Sequence, residues 1–187
     1  NLHTARTAFE QMPWVRSAQV RREYPGTLQV VLQEHRAVAN WGDEAGTAMV
    51  NRQGEVFDAN ADDAEYEGLP RLKGPQGQSA QVLQMHGRLQ AVVEPLGMVV
   101  QELEMTGRGG WRMVTDSGAE VELGGGSGDE VVLRTERFVR TLTQVAAQYG
   151  RRADALESAD LRHGGGYALR LRGVTTVTMG QDAPARR

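Results

Sequence analysis

The chain has 187 residues, 40% apolar and 24% charged, with a formal net charge of −3; that balance excludes both the dense positive field of a nucleic-acid binder and the composition of a disordered chain. It contains no Cys, which removes disulfides, thiolate nucleophiles and zinc-thiolate sites together. It has no run of 18 apolar residues and no charged start followed by an apolar leader.

The chain opens at Asn1, without Met and inside a helical pattern, which predicts a piece of a longer protein with any membrane anchor outside it. Leu2, Ala5, Ala8 and Phe9 carry the spacing of a short amphipathic helix, and Pro13 ends it near Gln11 or Met12. Trp14 and Val15 are expected in a further turn. Ala18, Val20, Arg22 and Tyr24, then Leu28, Val30 and Leu32, alternate with a period of two around Pro25 and Gly26. This predicts a hairpin closed by a type II turn. Val38, Ala39 and Trp41 continue in extended form. The unit up to Val38 is too small to bury much core without a further strand or a neighbouring domain.

From Met49 the sequence predicts strands at Met49 to Asn51 and Glu55 to Phe57 around a Gln53–Gly54 turn, with Val56 and its apolar neighbours as core candidates. Asn60 to Gly68 is an acidic loop. Leu69 to Gly77 is an extended connector pegged by Leu69 and Leu72. Ser79 caps a helix in which Val82, Met85, Leu89, Val92 and Leu96 recur at helical spacing, and Gly97 stops it. Val99, Leu103 and Met105 predict a strand, WRMVTDSGAEVELG a strand-turn-strand, and GGGSGD a loop with Asp129 as cap. Val132, Phe138, Leu142, Val145 and Tyr149 line a second helix. Leu161 and the alternating Tyr167, Leu169 and Leu171 form a closing hairpin around Gly164 to Gly166. The fold class is α+β, an antiparallel sheet faced by helices. Few elements follow to cover the last strand, so its edge is a docking site or a hazard, unless Val174 to Met179 fold back onto it.

Little of the chain carries catalytic chemistry. His3, His35, His86 and His163 show no ligand spacing. Asp62, Asp63, Glu65 and Glu67 crowd one loop instead of facing each other across a substrate. GGGSGD lacks the Lys and hydroxyl end of a phosphate-binding loop. Arg16, Arg21, Arg22 and Arg36 are diluted by Glu23 and Glu34. No cofactor, no metal and no catalytic residue are expected. What remains is backbone edges beside polar surface, the chemistry of protein recognition by strand addition, with Arg162 and Arg108 as cations near that edge.

The ordered blocks PWVRSAQVRREYPGTLQVVLQEHRAVA, VNRQGEVF, LPRLKGPQG, WRMVTDSGAEVELG, ERF and DLRHGGGYALR resemble the extracytoplasmic part of the bacterial FtsQ cell-division family over nearly the whole chain. The resemblance implies a POTRA domain lacking its first strand over residues 1–38, whose sheet should show a free side, a β domain over 39–173, and a C-terminal extension over 174–187. It implies a non-enzymatic divisome scaffold, single-pass in the inner membrane, with this region in the periplasm at the septum. The scaffold would help recruit or regulate septal peptidoglycan synthesis.

The implied partners are FtsB, in complex with FtsL, on the last part of the β domain, and FtsK and other division proteins on the POTRA domain. By motif, Arg162 in DLR meets a partner carboxylate and Arg108, three before Trp111, supports that contact. His163 stands where the family usually has Tyr, Tyr167 can compensate from nearby, and Gly165, Gly166, Leu169 and Leu171 lie along the partner strand. The competing reading is a POTRA-type chaperone or docking module of a transport or outer-membrane assembly system.

Overall fold

The computed structural model describes residues 1–59, 66–174 and 177–178. The fold separates into two compact units, Asn1–Leu69 and Pro70–Arg187. The acidic stretch at 60–65 lies outside the described residues, and with it Asp62, Asp63 and Glu65. Among the described residues no helix is long and apolar enough to cross a membrane.

In the first unit, α1 (Leu2–Glu10) is capped by the Asn1 side chain, which accepts from the His3 N–H at 3.2 Å. The Glu10 carboxylate accepts from Arg6 at 2.9 Å and from the Ala18 N–H at 3.2 Å, tying the helix end to the next strand. That strand, β1 (Val15–Glu23), pairs antiparallel with β2 (Thr27–Glu34) in a two-stranded sheet. The predicted further turn is present, closed by the Val15 N–H on Met12 O at 3.0 Å, and Val15 then opens β1. Gly26 does not take the left-handed φ that a type II turn demands at its third position, and the Tyr24–Pro25 bond is cis, so the predicted turn type is not formed. A register shift between Val15 and Ser17 lets Val15 and Ala18, three apart, share the buried face. β2 is exposed along almost its whole length on both faces: Leu28, on the face of Ala18, is 51% exposed and Val31, on the other face, 54%.

β3 (Ala37–Trp41), β4 (Ala48–Asn51) and β5 (Val56–Asp58) form an antiparallel meander. Its core residues are Ala39, Met49, Val50 and Phe57, whereas Val56 is 47% exposed. Strand parity decides this: Phe57 turns inward to stack on His35, ring centroids 4.4 Å apart and planes 6° from parallel, so its neighbour must turn out. Asn51, almost fully buried, is saturated. Its Oδ1 accepts from the Gln53 and Glu55 N–H groups, both at 2.9 Å, and its Nδ2 donates to Glu55 Oε2 at 2.6 Å and faces His35 Nδ1 at 2.9 Å. Arg16 closes the network on Glu55 at 2.8 and 3.3 Å. Asn51 Nδ2 is a donor only, so His35 Nδ1 must accept and the imidazole is neutral.

The second unit is a sheet in the order β12-β11-β10-β9-β8-β7-β6. Its strands are β6 (Arg71–Lys73), β7 (Val100–Met105), β8 (Trp111–Thr115), β9 (Glu120–Gly124), β10 (Leu156–Asp160), β11 (Ala168–Leu171) and β12 (Val177–Thr178). Most pairings are antiparallel, but α2 (Ser79–Val93) leads from β6 into parallel β7, and α3 (Gly128–Gln148) from β9 into parallel β10. A helix-length crossover permits parallel neighbours that a tight turn cannot.

The core lies between those helices and one sheet face. Leu72, Leu103, Met113, Val121, Leu123, Leu156 and Leu169 meet Val82, Leu89, Phe138 and Leu142, all 2% exposed or less. The opposite face is ionic: Arg112 pairs with Glu120 at 2.5 Å and Glu122 at 3.5 Å.

Several local expectations are corrected. Leu72 sits in a three-residue strand and not in an extended connector, because Leu72 pairs with Leu103 and is fully buried. Ser79 is the first helical residue, behind Gln78 as cap. Val93 replaces Val92 on the inner face, and a 3-10 turn at Glu94–Leu96 carries Leu96 away before Gly97 ends the helix at φ 69°. Val100 is buried and Val99 is 46% exposed, since a bulge between Val100 and Glu102 shifts the parity of β7.

On α3 the inner stripe is Val131, Thr135, Phe138, Leu142 and Val145, so Val132 and Tyr149 lie off it. Its cap is Ser127 and not Asp129. Ser127 Oγ accepts from the Glu130 N–H at 3.3 Å while Glu130 Oε2 accepts from the Ser127 N–H at 2.7 Å, a reciprocal capping box. Asp129 instead pairs with Arg88 of α2 at 2.6 Å.

Two outcomes are expected. Ser127→Ala removes an N-cap and should lower the unfolding free energy by about 1 kcal/mol in denaturant titrations monitored by circular dichroism. Burial pushes the His35 imidazole down from its ordinary 6.5, with Glu55 opposing and Arg16 assisting. The unfolded chain therefore protonates first, and His35 should make the first unit lose stability as pH falls below about 6.5. Ring titration by NMR should place His35 below its ordinary 6.5, and His35→Phe should flatten the pH dependence.

Candidate docking edge

The closing hairpin is where the chain's predicted recognition residues gather. β10 runs parallel to β9 in the register Ser158 to Glu120, Ala159 to Val121 and Asp160 to Glu122, and the Leu161 N–H extends the ladder to Glu122 O at 2.8 Å. Leu161 is buried, whereas Arg162 to Gly166 form an exposed loop into β11. Arg162 crosses the end of β9 at Gly124. A Cβ on Gly124 would lie 3.1 Å from Arg162 Cγ, and its φ of +79° favours glycine, so the crossing requires that residue.

Arg162 is held in a fork. Its backbone N–H and Nε both donate to Asp160 Oδ1, at 3.0 and 2.9 Å, and one terminal nitrogen donates to Oδ2 at 2.6 Å. The guanidinium lowers the Asp160 carboxyl from 3.8 to about 2, against the opposing effect of burial. Arg162 nonetheless stays 59% exposed in its side chain. A guanidinium has five N–H donors; two serve Asp160, so three are available to a second acceptor, with the plane already fixed.

Arg108 lies exposed in the turn between β7 and β8, which Thr106 clamps: its N–H donates to Gly110 O at 2.8 Å and its Oγ1 accepts from the Gly110 N–H at 3.0 Å. The neighbouring Gly109 carbonyl is 3.6 Å from the Cβ position of Gly125, one residue past Gly124. The β7–β8 turn and the Arg162 crossing therefore share one end of the sheet. Arg134 of α3 lies there too, donating to the Leu123 carbonyl and to Gly125 O at 3.1 Å.

His163 is 71% exposed, with Nε2 4.0 Å from Asp160 Oδ2. The Gly166 N–H returns to His163 O at 3.4 Å, and a Cβ at Gly165 would meet nothing within 4 Å. Tyr167 is engaged with the fold. Its OH is 2.5 Å from Thr141 Oγ1, and its ring meets Phe138 edge-on with centroids 5.0 Å apart. Leu169 and Leu171 are buried at 2% and 1%, so their side chains belong to the core and only their main chain lies along the edge.

Val177 and Thr178 pair with Leu169 and Ala168, so the chain's own tail occupies that stretch of β11 and β12 is the outer strand. Met179 lies outside the described residues. Among the other His, His86 hydrogen-bonds Val100 O at 2.9 Å and serves packing. No group of three His, Asp or Glu able to hold a metal occurs among the described residues.

Two contributors escaped the sequence reading. Asp160, two before Arg162 on an extended segment, was findable because such residues point the same way. Gly124 was not, because its contact with Arg162 joins residues 38 apart through the parallel register.

Comparison with known proteins agrees with this architecture. Residues 39–162 match the family model described as cell division protein FtsQ/DivIB, C-terminal, and residues 1–35 match the POTRA domain, FtsQ-type. Among curated relatives named cell division protein FtsQ, that of Thiomonas arsenitoxydans is 39% identical over 185 residues, covering 98% of this chain and 67% of the relative. That of Nitrosospira multiformis is 37% identical over 170 residues, 91% of this chain and 66% of the relative. That of Burkholderia pseudomallei is 34% identical over 179 residues, 95% of this chain and 69% of the relative. The chain thus spans about two thirds of the length of these relatives. With a POTRA match followed by a C-terminal domain match in the same order, it belongs to the FtsQ/DivIB family of cell division proteins.

Proposed function

We propose that this chain is the periplasmic part of a non-enzymatic divisome scaffold, anchored by a single inner-membrane span at the septum. It binds FtsB, in complex with FtsL, by strand addition at the C-terminal edge of its β domain. Through that contact it helps recruit or regulate septal peptidoglycan synthesis, while its POTRA domain engages FtsK and other division proteins. In this reading residues 1–38 are the POTRA domain, 39–173 the β domain and 174–187 an extension whose β12 carries the docking edge.

The observation that carries the reading is the pairing of a main-chain edge, free among the described residues, with a fixed cation. β12 is the outer strand of its sheet, and its outward N–H and C=O groups are a template for another strand. At the loop beside it, Arg162 is oriented by Asp160 and has unspent donors. A partner carboxylate meeting that guanidinium gains charge-assisted bonds without ordering a flexible side chain first. Arg108 adds positive charge from the same sheet end. His163 has less ring area than a tyrosine and no phenol, so affinity here leans on main chain and charge more than on an aromatic contact.

Three measurements test this. Arg162→Glu should weaken binding of a soluble FtsB peptide in calorimetry by about tenfold or more, as expected when a like charge faces a carboxylate, with an unchanged circular dichroism spectrum; unchanged affinity would sink the assignment. Deletion of residues 174–187 should abolish the binding if the added strand pairs with β12, and retained affinity would move the docking edge to β11. In Arg162→Ala the Asp160 carboxyl should titrate closer to 3.8 than to about 2, read by carbon NMR. The Asp160 contribution to stability, complete above pH 3.8 and lost on acidification toward 2, should disappear with it.

A further inference from the structure

Beside the docking loop, between α3 and residues 163–167, lies an open cleft of about 310 Å3, room for one or two side chains. Its floor is apolar, formed by the buried Phe138 and Leu161 with the Tyr167 ring standing against Phe138. Its α3 wall carries Glu130, Arg134 and Arg137, one turn apart along the helix. Glu130 is committed to the capping box, and Arg134 to the Leu123 and Gly125 carbonyls. Arg137 is exposed, and its guanidinium makes no hydrogen bond or ion pair among the described residues.

The mouth is bounded by Gly164 and Gly166. Gly164 has no positive φ, and a Cβ there would meet nothing within 4 Å. Neither backbone conformation nor crowding explains that glycine; its effect is a low rim over which a peptide main chain can pass.

The geometry points to this cleft as a specificity pocket for an acidic side chain of the docking partner, with Arg137 as the recognising cation. The inference rests on the strand-addition reading and adds a second charge contact to it. The apolar floor strengthens the pairing by excluding water from one side of the guanidinium. The occupant is an Asp or Glu because Arg137 is an uncommitted cation in the cleft, because the exposed His163 imidazole lining the same cleft can donate an N–H to a carboxylate as well, and because Tyr167 spends its hydroxyl on Thr141. The aliphatic stem of a Glu would lie on Phe138 and Leu161. An aromatic side chain fits the floor but leaves Arg137 unanswered.

Arg140 supplies the control. It sits one turn further along α3 and lines a different groove, facing α2 with Val92 and Val139. Arg137→Glu and Arg140→Glu make the same charge change on the same helix.

The test is calorimetric titration of the 187-residue chain with the soluble FtsB peptide, using Arg137→Glu, the milder Arg137→Gln and Arg140→Glu, all checked by circular dichroism. A second arm changes each Asp and Glu of the peptide to Asn or Gln, one at a time. The expected result is a loss of about tenfold or more for Arg137→Glu, a smaller loss for Arg137→Gln and under about twofold for Arg140→Glu. One peptide substitution should lose affinity in the unmutated chain and lose nothing further in Arg137→Gln. Equal losses for Arg137→Glu and Arg140→Glu would overturn the pocket in favour of general charge attraction. So would binding that Arg162→Glu weakens and Arg137→Glu leaves intact, with strand addition surviving. Absence of any binding by the unmutated chain would overturn both.

Discussion

The seating of α3 on the sheet through Phe138 and Leu142 is the interaction on which the Arg162 end of the sheet depends. α3 leaves β9 through Gly124 and a capped turn at Ser127, and returns the chain beside β9 in the same direction. That direction sets where Asp160 and Arg162 emerge. A hairpin return would have delivered them to the far end, away from the β7–β8 turn and Arg108. Phe138 also receives the Tyr167 ring, so one buried residue anchors the helix and braces the loop it positions. Leaving this helix without its inner stripe would expose a sheet face built almost wholly of Leu, Val and Met.

The charges at that end are pre-arranged at modest cost. Asp160 and Arg162 are neighbours along one strand end, so the fork needs no long-range closure. Because Arg162 remains well exposed, the pair stabilises the fold little; its consequence is orientation. The same economy appears at Arg134, which spends its donors on carbonyls at the end of β9 and the start of the following loop, where orphaned acceptors would otherwise face solvent. A different network governs the first unit. There Asn51 is saturated by four contacts around His35, Glu55 and two turn amides, and it links the β1–β2 side through Arg16 to the meander through Glu55.

Much of the architecture was legible. Period-two runs marked β1, β2, β8, β9 and β11, and period-3.6 runs marked α1, α2 and α3, because a half-buried element must repeat its apolar residues at its own pitch. The errors fall where a local event shifts that pitch. A bulge in β7 put Val100 inside and Val99 outside. On α3 the stripe begins at Val131 and not Val132, and the capping box at Ser127 fixes the helix start two residues earlier than an Asp129 cap would. β6 was missed because three residues between Pro70 and Gly74 carry no period at all; only a parallel neighbour, reached through α2, makes them a strand.

The sequence by itself determined the α+β class and the family, because ordered blocks such as DLR and the Trp111 strand survive without reference to their neighbours in space. It also determined that Leu169 and Leu171 share a face. Tertiary structure decided which face: both are core, and their contribution to an edge is main chain alone. It decided that Val177 and Thr178 cover part of β11, a choice between intramolecular and intermolecular pairing that alternation cannot express. And it decided that Arg162 rests on Gly124 and that Arg137 finds no partner among the described residues, since both follow from a parallel register and a helix rotation that bring together residues far apart in the chain.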